Sequence, residues 1–315
     1  MGILSGISQW LGSRPPPDPA LRLAINRAVE AVDPRLKAVS DYEHRLAPAI
    51  GHALRYCATV AAAIPGPVEV SVRAFASDPL VHALFAAPGD IADMLGKSRE
   101  VREFFADPGN CLQDEFFGLL GMRQRHKAVA GVALSGDLVQ HGVAQRLLYF
   151  ADHTLGELGS GHEFTRRCLQ ASAFDGLTRG FANCVEELRQ EHHEARTAWQ
   201  IERAVAGRDE RRQVLEERQR RAIASLAPES LLDAYAEWLA APEQRLYLKP
   251  TEVTVDRMGL ISPTAVTGGG YSTLNFPELV ARDRRQWIVL VARISRQDAQ
   301  DALQRQQEAN RYLLI

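Results

Sequence analysis

The feature that most constrains this chain is a helical segment from Ser160 to Leu226 whose outer half carries equal numbers of acids and arginines. Large apolar residues recur close to every 3.5 positions in its first part: Phe164, Ala171, Phe174, Phe181, Val185, Leu188, Ala195 and Trp199. Residues 186–221 then hold nine acids and nine arginines. This pattern predicts a packed helix that emerges into solvent, or one arm of a coiled coil. Gly207 is a predicted break, so a helical hairpin also fits.

The overall composition is that of an ordinary globular protein. The chain has 315 residues, of which 46% are hydrophobic and 24% charged, and its formal net charge is −2. A chain of this length can bury a substantial core and fold into about two domains. Because the charges nearly cancel, no global field attracts nucleic acid or acidic lipid.

Cysteine usage and the absence of long apolar runs point to the cytoplasm. The four cysteines have no paired CxxC spacing, which predicts buried free thiols in a reducing compartment rather than disulfides or a zinc site: Cys57, Cys111, Cys168 and Cys184. No apolar run approaches the roughly 18 residues that a membrane span needs. The first residues lack the positive charge that opens a signal peptide, so we expect a cytoplasmic protein. We expect no cofactor and no metal.

The chain divides by pattern into five segments. Residues 1–17 form an apolar arm with Ile7 and Trp10 at helical spacing, followed by a proline-rich tether; this arm could dock on its own protein, on a partner or on a membrane surface. Residues 18–110 form a helical domain, in which Asp-Pro pairs at 18–19, 33–34 and 78–79 mark helix starts.

The remaining segments alternate between strand and helix. Residues 111–158 predict a three-stranded antiparallel β-meander that turns at residues 135–137, although 147–158 also fits a helix. Residues 159–242 form the long charged helix or hairpin, ending in an amphipathic helix at 228–240. Residues 243–315 form a small antiparallel β unit closed by a helix at about 296–311. The fold class is therefore α+β, predominantly helical, and the pattern leaves open whether the two strand regions share a sheet.

Two glycine motifs resemble phosphate-binding loops but fail on spacing. Gly96-Lys97-Ser98 would end a P-loop, yet that loop needs a glycine five positions earlier, where Ile91 stands. The glycines at 156, 159 and 161 occur in the reverse order of the dinucleotide fingerprint, and no returning strand follows. A capped helix start explains each motif.

One cluster of titratable residues is a weak candidate for a catalytic site. Asp152, His153, His162 and Glu163 lie within a dozen positions, and they motivate the alternative hypothesis of a hydrolase-like enzyme. The metalloprotease spacing HExxH is absent. A weaker alternative is a nucleic-acid-binding regulator that uses Arg282, Arg284, Arg285 and Trp287 at a hairpin tip. Nucleic-acid binding is not expected, because this basic group covers one turn alone.

The leading hypothesis is a non-catalytic adaptor or regulatory protein that binds another protein and self-associates. Its basis is the heptad-like stripe, the dense paired charges and the apolar arm. The residues expected at the contact surface are Ile7, Trp10, Phe174, Phe181, Leu188 and Trp199.

Overall fold

The structure, a computed structural model, describes residues 17–110, 113–135, 138–204, 209–256, 258–262, 271–281 and 286–312; the side chains of residues 132–139, 203–212 and 312 are not described. The chain divides into two compact units. A helical unit comprises residues 1–57 and 173–244, and a sheet unit comprises residues 58–172 and 245–315. Two of the three chain crossings between these units fall inside long helices.

The described elements follow in chain order. The helices are α1 (Pro19–Val32), α2 (Tyr42–Ala63), α3 (Val72–Ser77), α4 (Pro79–Leu84), α5 (Pro88–Lys97), α6 (Arg99–Ala106), α7 (His162–Ala204), α8 (Asp209–Ser225), α9 (Pro228–Ala240) and α10 (Arg296–Tyr312). The strands are β1 (Val68–Glu69), β2 (Glu115–Ser135), β3 (Leu138–Gly159), β4 (Leu246–Asp256), β5 (Tyr271–Ala281) and β6 (Gln286–Ser295). Short 3₁₀ turns cover Pro34–Ala38, Pro108–Asn110 and Pro242–Gln244. The predicted α+β class and the long helix are both confirmed.

The Asp-Pro pairs begin helical turns for the reason that the sequence suggests. Asp18 accepts a hydrogen bond from Ala20 N at 3.1 Å, and Asp78 accepts one from Leu80 N at 2.8 Å. Asp33 accepts from Arg35 N at 2.9 Å at the start of the Pro34–Ala38 turn. The following proline costs no hydrogen bond, because a first-turn N–H has no helical partner.

The core of the helical unit forms where α7 meets α9. The Phe181 ring stacks on Tyr235 at 4.9 Å between centroids and lies 5.7 Å from Trp238. Both polar groups of those α9 aromatics are satisfied: the Tyr235 hydroxyl bonds Thr178 Oγ1 at 3.0 Å, and the Trp238 indole donates to Leu177 O at 3.0 Å. Aromatic side chains whose polar atoms find partners can be buried without penalty.

All described strands belong to one sheet with the order β3-β2-β6-β5-β4, in which β1 pairs in parallel with β6. The other pairings are antiparallel. The two strand regions of the sequence are therefore joined where β2 pairs with β6, from Glu115 opposite Ser295 to Met122 opposite Ile288.

The predicted three-stranded meander is wrong in its strand count, because residues 115–135 form one long strand. β2 and β3 make a single hairpin that pairs up to Ser135 opposite Leu138, while the predicted turn residues 136–137 lie outside the described residues. Gly118 in β2 is a place of close packing, because a Cβ there would overlap the Leu158 side chain. In the C-terminal β unit, residues 246–256 form one strand, β4.

The curved sheet closes on itself through residues 256–262. After a turn at Asp256, Ile261 N donates to Arg146 O at 2.8 Å, and Leu148 N donates to Gly259 O at 2.8 Å. On its other side the same segment pairs with β4, because Ser262 N donates to Thr254 O at 2.9 Å. The outer strands β3 and β4 are thus linked through this segment.

Candidate functional sites

Asp152 and His153 lie at a β-bulge of β3, where the register with β2 shifts between Gly121 and Arg123. Asp152 adopts a left-handed backbone, with φ of 57°, as a bulge requires. Its carboxylate lies 3.6 Å from Arg123 and 3.7 Å from Arg125. His153 Nε2 lies 2.8 Å from Leu84 O.

The His153 ring also stacks on Phe85, with 4.6 Å between ring centroids. The bulge therefore sends the two neighbouring side chains to different partners: the aspartate to arginines of β2, and the histidine to the end of α4. Each contact is of a kind that stabilises a fold.

His162 and Glu163 open α7, and the histidine takes part in closing the end of another helix. Arg166 donates to His162 Nε2 at 2.9 Å and to Ile64 O at 3.0 Å. The same guanidinium also contacts the carbonyls of Ala61, Ala62 and Gly66. These carbonyls at the end of α2 have no helical donors of their own, so Arg166 acts as a side-chain cap with His162 behind it. Glu163 is exposed.

The four titratable residues thus fall into two groups: Asp152 and His153 lie at the bulge of β3, and His162 and Glu163, whose Nδ1 and Oε1 atoms are 3.9 Å apart, lie at the start of α7. Among the described residues no group of three or more His, Cys, Asp or Glu side chains is placed to hold a metal ion. Within the same residues no helix combines the length and apolarity that a membrane crossing needs.

The expected partner-binding residues of α7 face inward in part. Phe174 and Phe181 are buried in the helical unit, while Leu188 and Trp199 are half-buried. Ile7 and Trp10 lie outside the described residues, as do the hairpin arginines 282, 284 and 285. Trp287, the remaining member of that basic group, lies under Arg123, whose Cζ is 4.9 Å from the ring centroid.

Beyond the packed part of α7, large aliphatic side chains become exposed. Ile201 is 59% exposed, Val214 67% and Ile223 53%. On α8 the half-buried residues Leu215 and Ala222 lie between Val214 on one side and Ile223 on the other, and the half-buried Leu226 follows the end of the helix. We refer to residues 199–226 as the outer helical surface.

A second feature, absent from the sequence expectations, is a cavity of about 690 Å³ on the inward face of the sheet. We call it the sheet cavity, and its polar lining comprises Arg123, Gln124, Arg125, His126, Lys249, Thr251, Glu278 and Gln286. Gln124 lies opposite Phe150, and Thr251 lies opposite Phe276. Directly opposed residues share a face of the sheet, so these polar groups point to the side where the two phenyl rings pack at 5.4 Å.

Several polar atoms of the sheet cavity are incompletely paired. Gln124 Oε1 and Thr251 Oγ1 are buried and form no hydrogen bond within the described protein. Glu278 is 9% exposed, and among the described residues its carboxylate receives one hydrogen bond, from Lys249 Nζ at 3.5 Å. Buried polar groups nearly always find partners, so two unpaired oxygens beside a weakly paired carboxylate mark an unusual place in this fold.

His126 lies at the rim of the sheet cavity, beside Gln124. Its Nε2 lies 3.2 Å from the Gln124 amide nitrogen, which can donate but not accept, so the imidazole accepts and carries its proton on Nδ1. Burial, and then the positive charge of Arg146, lower the pKa of His126 below its usual value. Both effects favour the neutral ring.

The sequence signal for this cavity exists but is ambiguous. Gln124 and His126 continue the alternation of Leu120 and Met122 along β2, and therefore share their face. A polar residue in a strand is read by default as facing solvent, so the cavity residues were missed.

Comparison of the chain with protein-family models, with curated proteins and with solved structures gives no match.

Proposed function

We propose that this chain is a non-catalytic adaptor that associates with a second copy of itself through the outer helical surface. The observation that carries the proposal is the exposure of Ile201, Val214 and Ile223 on helices otherwise covered with charge. Exposed aliphatic side chains that flank a half-buried stripe are typical of a helix whose packing partner lies outside the unit.

Charge supports a second copy as the partner. Residues 186–221 carry nine acids and nine arginines, so two such surfaces related by a twofold axis can place opposite charges together. The ion pairs within α8, Arg220 with Glu216 and Arg221 with Glu217, are exposed at 3.0 Å each. Exposed pairs of this kind contribute up to about 0.5 kcal/mol, so they can exchange partners at an interface at little cost.

The proposal includes a cytoplasmic location, which fits the cysteines. Cys57, Cys168 and Cys184 are free thiols. Burial raises the pKa of Cys57 to about 12, so this thiol stays protonated and unreactive. Free, inert cysteines are typical of a reducing compartment.

The test is the molar mass in solution, measured by light scattering over a range of concentrations. We expect the unaltered chain to exceed its monomer mass of 34.8 kDa. The double variant Val214→Glu/Ile223→Glu should revert to a monomer, because carboxylates replacing interface aliphatics weaken association by roughly a hundredfold or more.

A matched control separates apolar contact from added charge. Gln213→Glu/Ala224→Glu adds the same two charges at exposed neighbouring positions and should leave the mass unchanged. Circular dichroism checks that both variants keep their helices. A strict monomer at every concentration, or equal effects of the two double variants, would contradict the proposal.

A further inference from the structure

We propose that the sheet cavity binds a small polar molecule that donates hydrogen bonds through N–H or O–H groups. The inference concerns the sheet unit and is independent of self-association through the outer helical surface. It rests on Gln124 Oε1 and Thr251 Oγ1, two buried oxygens that are unpaired among the described residues of the chain.

The size of the cavity suits a small ligand. Its volume of about 690 Å³ falls within the range of roughly 300–1,000 Å³ that is typical of small-molecule sites. Ile288 is the apolar residue of the lining. The Phe150 and Phe276 rings, which meet edge to face at 87°, pack on the same face of the sheet as Gln124 and Thr251.

The hydrogen-bonding groups of the sheet cavity determine which kind of ligand it can bind. The Gln124 amide donates to His126, which leaves its carbonyl oxygen as a free acceptor. The Glu278 carboxylate has several lone pairs and, within the described residues, a single contact of 3.5 Å, with Lys249 Nζ. The lining also contains the donors of Arg123, Arg125 and Lys249, but Gln124 Oε1 and Thr251 Oγ1 are the buried acceptors that lack partners among the described residues. A molecule with amino, amide or hydroxyl donors would satisfy them, whereas one without donors would leave them buried and unpaired.

A larger groove in the same unit lacks this property. It has a volume of about 790 Å³ and lies between α3, α4 and the closing segment. Its carboxylates are engaged as caps: Asp78 accepts from Leu80 N, and Asp256 accepts from Met258 N and Leu260 N. Its His82 Nδ1 lies 3.3 Å from Phe75 O. Because these groups already have hydrogen-bond partners, they do not need a ligand to pair with them.

The first test removes one unpaired oxygen without changing shape. Thr251→Val should raise the melting temperature of the free protein, because it removes a buried hydroxyl that has no partner. Thr254→Val is the matched control on the same strand, since the Thr254 hydroxyl is paired with Thr273 Oγ1 at 3.1 Å. The control should lower the melting temperature or leave it unchanged.

The second test uses probe pairs that differ in donor groups alone: glycine against trimethylglycine, and glucose against fully O-methylated glucose. Each probe is titrated at millimolar concentration while protein amide signals are followed by NMR. We expect the donor-bearing member of at least one pair to shift residues around the cavity. Its dissociation constant should rise at least tenfold in Thr251→Val and in Gln124→Leu, and remain unchanged in Thr254→Val.

The pair that responds identifies the source of the donors, amine or hydroxyl. Equal binding of a methylated partner would overturn the proposal. So would a Thr251→Val variant that is stabilised while none of the four probes binds, since that result describes a hydrated cavity with no ligand function.

Discussion

Two buried carboxylates in this chain, Asp33 in the helical unit and Glu278 in the sheet unit, have very different surroundings. Asp33 is 2% exposed and is fully paired. It accepts from Arg35 Nη2 at 2.7 Å, from Arg35 Nε at 3.0 Å and from Arg189 Nη2 at 2.8 Å, in addition to the cap contact with Arg35 N. Glu278 receives one long contact from Lys249, whose side chain is 57% exposed.

This difference indicates that Asp33 is a structural charge, whereas Glu278 is a candidate functional charge. A buried carboxylate is tolerated when cations and N–H donors replace its lost hydration, and the Asp33 set achieves this within the chain. The side-chain hydrogen bond from Arg35, together with the charges of both arginines, holds the pKa of Asp33 below its usual value. Within the described part of the chain, Glu278 has no comparable set of donors beyond Lys249.

The largest expected loss of stability follows from removing the paired carboxylate of Asp33. Asp33→Ala should cost about 3 kcal/mol of stability, because it removes the shared acceptor of two arginines and the cap of a helical turn. Hydrogen exchange read by mass spectrometry should show faster exchange in α1 and α7 of the helical unit.

An exposed carboxylate is the control for this substitution. Glu30 pairs with Lys37 at 2.5 Å but is 62% exposed in its side chain, so Glu30→Gln should cost less than about 1 kcal/mol. Equal losses in the two variants would show that the Asp33 network has no special role.

Much of the helical architecture could be predicted from the sequence because its signals are local. The Asp-Pro starts, the apolar stripe of α7 and the helix α9 at residues 228–240 depend on neighbours within one or two turns. The pairing of β2 with β6 joins Leu120 to Leu290 across a long stretch of chain, and no local period specifies such a partner.

The sheet cavity could not be predicted for a related reason. Thr251 and Gln124 alternate with their neighbours as solvent-facing residues do, but closure of the sheet through residues 256–262 turns their face inward. The titratable cluster at 152–163 is close in sequence, yet a bulge and a helix start direct its members apart. The four titratable residues are close in the sequence but do not form one site. The residues that line the sheet cavity are far apart in the sequence, so their proximity could not be predicted.

The pH dependence of stability tests whether Asp33 is ionised and paired with the arginines, and the expected effect is smaller than that of Asp33→Ala. The folded-state pKa of Asp33 lies below its unfolded value of about 3.9, so its contribution is present above that pH and is lost as the pH falls through the folded pKa. The stability difference between the unaltered chain and Asp33→Asn should therefore be constant from pH 7 to 5 and shrink toward pH 3. Urea unfolding at each pH measures it, and a difference that persists unchanged at pH 3 would argue against an ionised, arginine-paired Asp33.

The smallest expected effect is on the underpaired carboxylate. Glu278→Gln keeps the shape of the side chain, and the exposed Lys249 ammonium can remain hydrated without it, so the change in stability should stay within about 1 kcal/mol. Urea unfolding at pH 7 measures that change, and hydrogen exchange in β5 should be nearly unaltered. A loss as large as that of Asp33→Ala would mean that Lys249 and Glu278 hold the sheet together as a structural pair. A small loss leaves the carboxylate free to serve the ligand, because a group that the fold does not need for stability can be kept for binding.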